Sequence, residues 1–559
     1  MNLSLTRASW LFILLLCTAA GFAADGQSLH APVSAQAEAE PRSAFRTMVK
    51  ELASANYRAK KAIAGRIAQS GHPRARTVLV ALLEGELRAS EADGRVFITP
   101  QAADEPLVID LESGEALDMV AADSLDRIRT NNALRKALKG LIAQLDLHDP
   151  SPAVRLAAVE ESRRTLDDDT VAALRQRLAD ENNSKVQGAI QIALALRDIR
   201  DPDAAVRLEA VKRLDGELMP AAYNQLTRLT AVNENGEPAE ADAAVREAAA
   251  AAIANIEFWR GVCGAFETLF FGLSLGSVLV LAAIGLAITF GVMGVINMAH
   301  GELIMLGAYT TYVMQLLLPE SPGVAVLLSI PAAFVVSGLF GVAIERGVCR
   351  FLYGRPLETL LATFGISLIL QQLVRSMFSP NNRPITIPDF LSGVWQVNDA
   401  LALTYNRLYI LLFSLMVFGV LLMVLKQTPL GLKVRAVSQN RPMARAMGVR
   451  AHWVDAATFG LGAGIAGIAG VALSQLTNVG PNLGQAYIID SFMVVVFGGV
   501  GNLWGTLIGG MSLGVINKLL EPFAGAVLAK ILVLVALILF IQRRPSGLFP
   551  QKGRAAEGH

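Results

Sequence analysis

The chain has 559 residues, 53% of them hydrophobic and 17% charged, a balance too apolar for an ordinary soluble protein of this length. A formal net charge of +1, with no basic block interleaved with aromatics, argues against nucleic acid as a partner. Cys17, Cys263 and Cys349 are too few and too dispersed for a disulfide framework or a cysteine metal site.

In chain order, residues 1–23 read as a signal peptide. Arg7 supplies a positive n-region, Trp10 to Cys17 an apolar h-region, and Gly21-Phe22-Ala23 a small-x-small cleavage signal. An uncleaved first helix is the alternative, and in either case the segment that follows is predicted to be exported. Residues 24–257 are rich in Ala, Arg, Glu and Asp, and one pattern returns: DPSPAVRLAAV from Asp149, DPDAAVRLEAV from Asp201 and EADAAVREAAA from Glu240, with ENNSKVQGAIQIAL from Glu181 as a degenerate copy. Each clear copy starts acidic and places Ala four residues after Val, so Val154 with Ala158, Val206 with Ala210 and Val245 with Ala249 are expected on one helical face. The pattern resembles HEAT-like helical repeats, with an Ala-rich bundle as the plainer reading. RVFITPQAADEPLVIDLESGEALD, from Arg95, alternates like a small hairpin inserted among the helices.

From Phe258 to Ile541 long apolar runs recur. Nine candidate spans follow: 266–289, 302–318, 323–344, 357–374, 407–425, 455–476, 486–500, 504–520 and 524–541, the 486–500 run being short enough to be re-entrant. The loop 426–450 holds six Lys or Arg and no acid, and the tail holds Arg543, Arg544, Lys552 and Arg554, which assigns both to the cytoplasm; the Pro-rich loop 376–406 is assigned outside. The expected fold class is all-α: a polytopic transmembrane helical bundle of about 8 to 9 spans over 258–545, preceded by an exported α-helical, HEAT-like domain at 24–257 and followed by a cytoplasmic tail at 546–559.

GxxxG spacings at Gly272/Gly276, Gly460/Gly464, Gly505/Gly509 and Gly510/Gly514 predict helices in close backbone contact. GAGIAG, Gly462 to Gly467, matches a dinucleotide-binding string, but no strand precedes it and no ribose-binding acid follows, so it reads as a packing face. The chain holds no GxxxxGK[ST] loop, so ATP hydrolysis is not expected in it. Polar groups in or beside spans are costly and mark a path or interhelical bonds; here they are Asn297, His300, Glu302, Gln371, Gln372, Gln475, Asn478, Asn482, Asp490 and Asn502. A path lined mainly by amides suits a small neutral or zwitterionic solute better than an ion. Helix-end or interhelical roles are the plainer reading of each, Glu302 as a cap for the helix that starts there, and a lone His and Glu make no metal site. The loop 426–450 is expected to form a short helix docking on a partner at the cytoplasmic face, with Arg435 and Arg445 among its cations.

GVMGVINMAHGELIMLGAYTTYV, LETLLATFGISLILQQLVR, TPLGLKVRAVSQNRPMARAMGV and FGGVGNLWGTLIGG closely resemble the permease subunits of branched-chain amino acid type ABC importers. The stretch of roughly 265–553 is similar, more narrowly, to the urea-type permease of that family, as in SQLTNVGPNLGQAYIIDSFMVVVFGGVGNLWG and LAKILVLVALILFIQRRPSGLFP, and an exported helical domain precedes many urea-type members. The resemblance implies a urea-translocating subunit of a bacterial inner membrane, N-terminal domain periplasmic and C-terminus cytoplasmic. It implies as partners a second homologous permease, two cytoplasmic ATPases that bind ATP and Mg, a periplasmic urea-binding protein and membrane lipid; this chain then holds no cofactor and no catalytic residue. Carried over by position, the ATPase-contacting loop falls on Gly431, Arg435, Ala436, Asn440, Ala444 and Gly448, an Asn-x-Ala-x-Gly segment on Asn297, Ala299 and Gly301, and a Gly-rich turn on Gly498, Gly499, Gly501, Asn502 and Gly505. A permease for branched-chain amino acids or short amides, a passive urea channel, and a membrane-anchored scaffold using the helical repeats stand as alternatives.

Overall fold

A computed structural model describes residues 39–90, 96–99, 108–110, 116–117, 125–232 and 236–549; the expected signal peptide lies outside these. Two compact units divide the chain, Met1–Arg213 and Leu214–His559.

The first unit begins with helices α1 (Ala39–Ser54), α2 (Tyr57–Gln69) and α3 (Ala75–Glu84), continues through five short strands, and ends with α4 (Asn132–Asp146), α5 (Pro152–Ser162), α6 (Asp168–Asp180), α7 (Ser184–Asp198) and most of α8 (Ala204–Leu214). Side-chain caps start several helices: Asn131 accepts from the Leu134 amide at 2.8 Å and Asp167 from the Thr170 amide at 2.9 Å, satisfying donors that a first turn leaves open. The strands β1 (Leu87–Ser90), β2 (Val96–Ile98), β3 (Val108–Asp110), β4 (Ala116–Leu117) and β5 (Leu125–Arg127) form one antiparallel sheet in the order β4-β3-β2-β1-β5. The expected hairpin thus supplies three strands, β2 to β4, of a larger sheet, with Ile98 paired to Ile109. Its β1 follows α3 directly and is only four residues long, too short for alternation to register in the sequence. The chain is therefore mostly helical rather than all-α.

The recurring Val-Arg pattern folds into one recurring local structure. Arg155 Nη1 donates to the Asp149 and Pro150 carbonyls, both at 2.8 Å. Arg207 Nη1 does the same to Asp201 at 2.8 Å and Pro202 at 2.9 Å, and Arg246 Nη1 to Glu240 at 2.7 Å and Ala241 at 2.8 Å. In the degenerate copy Gln187 Nε2 takes the arginine's place, donating to the Glu181 carbonyl at 2.5 Å. Each side chain reaches back across its helix start to carbonyls that the acidic turn leaves without partners. Ala158, Ala210, Val245 and Ala249 are buried and Val154 is half-buried, but Val206 is 36% exposed, because α8 turns Ala210, Val211 and Leu214 inward instead.

Arg155 also makes a two-pronged bond to Glu181, Nε to Oε2 at 2.7 Å and Nη2 to Oε1 at 2.8 Å, with both side chains nearly excluded from solvent. This bond, with help from the Asn183 amide and Arg177, holds the Glu181 carboxyl down at about 2 against the opposing effect of burial. The folded value lies below the unfolded one of about 4.3, so the contribution is complete above that pH and is lost as pH falls toward 2. Glu181→Gln is expected to remove the charge that pairs with Arg155, to lower stability near neutrality and to flatten the loss of stability between pH 4 and 2; thermal unfolding followed by circular dichroism across that range checks both.

The second unit holds α9 (Pro220–Thr230), α10 (Ala243–Met293), α11 (His300–Leu317), α12 (Pro322–Gly347), α13 (Pro356–Phe378), the hairpin β6 (Val394–Asn398) and β7 (Leu401–Thr404), then α14 (Tyr405–Gln427), α15 (Pro429–Gln439), α16 (Arg441–Ala446), α17 (Ala451–Ser474), α18 (Leu483–Gly498) and α19 (Leu503–Arg543). The last copy of the helical pattern runs without interruption into the first apolar run, as one 51-residue helix. Among the described residues six helices are long and apolar enough to cross a membrane: α10, α12 with the turn that follows it, α13, α14, α17 and α19. This selection by length and composition does not confirm the expected nine spans. α11 carries His300 and Glu302 and is not among the six. α18 has 16 residues, about 24 Å at the α-helical rise, short of the ~30 Å hydrocarbon core. The segments 504–520 and 524–541 belong to α19, which Gly525 interrupts with φ 75° and ψ 162° three residues after Pro522.

The apolar core centres on α17, which packs against α10, α11 and α12. A Cβ on Gly462 would lie 2.7 Å from the Gly285 carbonyl oxygen and one on Gly467 2.4 Å from that of Ala333, so GAGIAG sits against neighbouring backbones. Gly272 and Gly276 of α10 meet α19 in the same way, a Cβ on Gly514 falling 2.3 Å from the Gly276 nitrogen. Such contact gains dispersion energy where apolar burial drives no association between helices.

Candidate functional site

The polar residues around the start of α11 form a buried group. Asn297 ends the preceding turn: its Oδ1 accepts from the Ala299 amide at 3.0 Å, while its Nδ2 has no partner. His300 opens α11 fully buried, with Nε2 2.8 Å from the Ala282 carbonyl of α10 and Nδ1 unpartnered. Gly285 leaves it room, since a Cβ there would come within 2.8 Å of His300 Cε1. His300 is therefore a strut between α10 and α11.

Glu302 lies half a turn further along and is 1% exposed. Instead of capping α11, its Oε1 reaches across to α13 and accepts from Ser367 Oγ at 3.0 Å and Gln371 Nε2 at 2.6 Å. Its Oε2 has no partner. A buried carboxylate oxygen without a donor costs free energy in an apolar setting, so the geometry leaves an acceptor open for a donor brought from elsewhere. Thr363 Oγ1 accepts from the Met298 amide at 3.1 Å, tying the same helix to the turn. Thr359, Thr363, Ser367 and Gln371 follow each other at four-residue spacing, all buried, and Arg375 continues the stripe to Asn482 Oδ1 at 2.8 Å. Thr363 and Ser367 were not among the sequence candidates; the polar stripe at helical spacing within LETLLATFGISLILQQLVR was the signal that could have found them.

The other candidates stand elsewhere. Gln475 is buried, donates to Ser474 Oγ at 3.1 Å and has an open Oε1, while its carbonyl accepts from Asn406 Nδ2 at 2.5 Å. Asn478, Asn482 and Gln372 are exposed. Asn502 caps α19, accepting from the Gly505 amide at 3.2 Å and donating to the Phe549 carbonyl at 3.4 Å, and Asp490 pairs with Lys530 at 2.9 Å. Among the described residues no group of three His, Cys, Asp or Glu could hold a metal ion.

The basic loop folds as the short helices α15 and α16, joined at Asn440, whose Oδ1 accepts from the Met443 amide at 3.0 Å. Gly431 lets α15 turn back on α14, where a Cβ would lie 2.0 Å from the Leu425 carbonyl oxygen; Arg435 Nη1 donates to that same carbonyl. Val434, Val437 and Ala444 are buried with Ala451 and Val454 of α17, whereas Ala436 is half-buried. Arg435, Asn440, Arg445 and Gly448 are exposed, together with Leu432, Met443 and Met447. The outward surface of this pair is thus both apolar and cationic.

Comparison with known proteins matches residues 268–541 to the family described as the branched-chain amino acid transport system permease component. The high-affinity branched-chain amino acid transport system permease protein BraD of Pseudomonas aeruginosa is 30% identical over 287 residues, which is 50% of this chain and 93% of the relative. The corresponding permease protein LivH of Escherichia coli K12 is 28% identical over 292 residues, 50% of this chain and 94% of that protein. The ribose import permease protein RbsC of Haemophilus influenzae is 24% identical, over 44% of this chain and 74% of its own length. No solved structure matches. The chain belongs to the permease-component family of the branched-chain amino acid transport system. It is accordingly a transport subunit and not itself an enzyme.

Proposed function

We propose that this chain lines the membrane path of an ATP-driven importer for a small solute bearing N–H donors, and that branched-chain amino acids are the substrate class. The observation that carries the reading is Glu302, a buried carboxylate with one oxygen held by Ser367 and Gln371 and the other open. An ammonium group is the best partner for such an oxygen, because its charge and donors offset the cost of the buried acid. The names of the similar permeases favour amino acids over urea. Urea is the second reading: it too brings N–H donors, and BraD and LivH are covered almost end to end by about half of this chain, leaving the helical segment ahead of the family match without a counterpart in them, as the resemblance to urea-type permeases implies. The repeated Arg cap supports the HEAT-like reading of that segment, and in this reading the segment lies in the periplasm and the C-terminus in the cytoplasm.

In this reading two cytoplasmic ATPases hold ATP and Mg, a periplasmic binding protein delivers solute, and a second permease completes the path. Closure of the ATPases moves α15 and α16, and the helices around Glu302 reorient between outward and inward access. The joint variant Arg435→Glu/Arg445→Glu reverses the charge of the docking surface and is expected to lower uptake at least about tenfold while the chain stays in the membrane. Retained uptake would remove the docking role.

The deciding experiment follows labelled leucine and labelled urea into cells that lack the chain, then carry it again, with and without ATP depletion. Energy-dependent leucine uptake that returns with the chain supports the amino acid reading, and return of urea uptake alone establishes the second. Return of neither would point to a scaffold.

A further inference from the structure

We propose that Arg441, Asp455 and Tyr353 form a clamp that passes movement of the α15–α16 pair to the central helix α17, so that they act as positioning residues for transport. The proposal rests on the reading that this pair meets an ATPase. Arg441, the first residue of α16, donates through Nη1 to Asp455 Oδ1 at 3.2 Å and through Nη2 to Asp455 Oδ2. Its guanidinium carbon lies 3.9 Å from the centre of the Tyr353 ring. The Asp455 side chain is 3% exposed and that of Arg441 18%.

A forked guanidinium–carboxylate pair stacked on a ring fixes orientation as well as distance, which a single ammonium cannot do. Val434, Val437 and Ala444 of α15 and α16 also pack in one apolar cluster with Ala451 and Val454 of α17, and apolar surfaces can slide. Two residues before Asp455, Trp453 lies under the Arg346 guanidinium of α12 at 4.2 Å, so the end of α17 is also tied to α12. Further along α17, Gly462, Gly467 and Gly470 touch the backbones of α10, α12 and α11, leaving no slack between these helices. A push on Arg441 therefore reaches three neighbours of α17 as a shift of packed helices. Neither partner stands out in the sequence: Arg441 is one of six cations in its loop, and Asp455 is a lone acid at the edge of an apolar run.

The test uses the complete importer, purified with its ATPases and reconstituted in liposomes with its binding protein, and follows labelled leucine and labelled urea. For Arg441→Ala and Asp455→Asn the ATPases are expected to co-purify and to hydrolyse ATP, while uptake falls about tenfold. The exchanged pair Arg441→Asp/Asp455→Arg is expected to transport several-fold faster than either single variant. Normal uptake in both single variants, or an exchanged pair no better than they are, would overturn the clamp. Loss of ATPase co-purification with Arg441→Ala would overturn it as well, by making Arg441 a docking contact. Should the alanine variant be missing from the membrane, Arg441→Lys decides, since it keeps the charge and loses the fork: reduced uptake supports the clamp and normal uptake ends it. If instead Arg435→Glu/Arg445→Glu leaves co-purification intact, the docking reading has failed and not the clamp.

Discussion

Glu302→Gln is expected to reach the membrane in normal amounts and to lose uptake at least about tenfold. The glutamine carbonyl can still accept from Ser367 and Gln371, so the link between α11 and α13 persists, but an amide donor replaces the open oxygen and the charge is gone. Glu302→Ala should cost more, because Ser367 and Gln371 then keep buried donors with no acceptor, roughly 1 to 3 kcal/mol each. Uptake measured beside the amount of chain in the membrane separates the two contributions. Full uptake by Glu302→Gln at unchanged half-saturation would make Glu302 an interhelical tie only, and the proposed solute contact would fall with it.

The second large effect is expected at Gly307. A Cβ there would lie 2.0 Å from the Gly467 carbonyl oxygen, and the reciprocal contact is as tight, a Cβ on Gly470 coming 2.0 Å from the carbonyl oxygen of Ile304. Even Gly307→Ala must part α11 from α17, at a cost of at least about 1 to 3 kcal/mol, and Gly307→Leu is expected to leave no folded chain to purify. Gly365→Ala of α13 is the control. Nothing lies within 4 Å of a Cβ at that position, and alanine is the better helix former, so its melting temperature should equal or exceed that of the parent. A melting temperature unchanged by Gly307→Ala would mean that the two helices have room between them.

Much of the fold was legible because its signals are local. The Val-Arg copies and the small-residue faces each depend on residues within a turn or two of each other, and each forms where the pattern placed it, although Val206 is exposed. The site was legible as a collection of polar residues in an apolar run, but not as an arrangement. Asn297, His300, Glu302 and Gln371 do gather, and Ser367 joins them, whereas Asn502 turns out to cap a helix and Asn482 accepts from Arg375. An amide looks the same in a sequence whether it lines a path or closes a turn, because its two roles differ only in what lies opposite.

By itself, the sequence determined the separation into a charged helical part and an apolar helical part, the cationic loop between α14 and α17, and the lack of a nucleotide-binding loop. Composition sums over neighbours along the chain, and these features are sums of that kind. Only the tertiary structure decided that Glu302 turns to α13, whose Ser367 and Gln371 are 65 and 69 residues away, and that Arg441 grips Asp455 rather than facing solvent like its neighbour Arg445. It also placed the break within α19 at Gly525, beside the division that hydropathy had drawn between the runs 504–520 and 524–541. Each of these depends on where two distant helices meet and which faces they turn to one another, and that is fixed by the close packing of their backbones rather than by local preference.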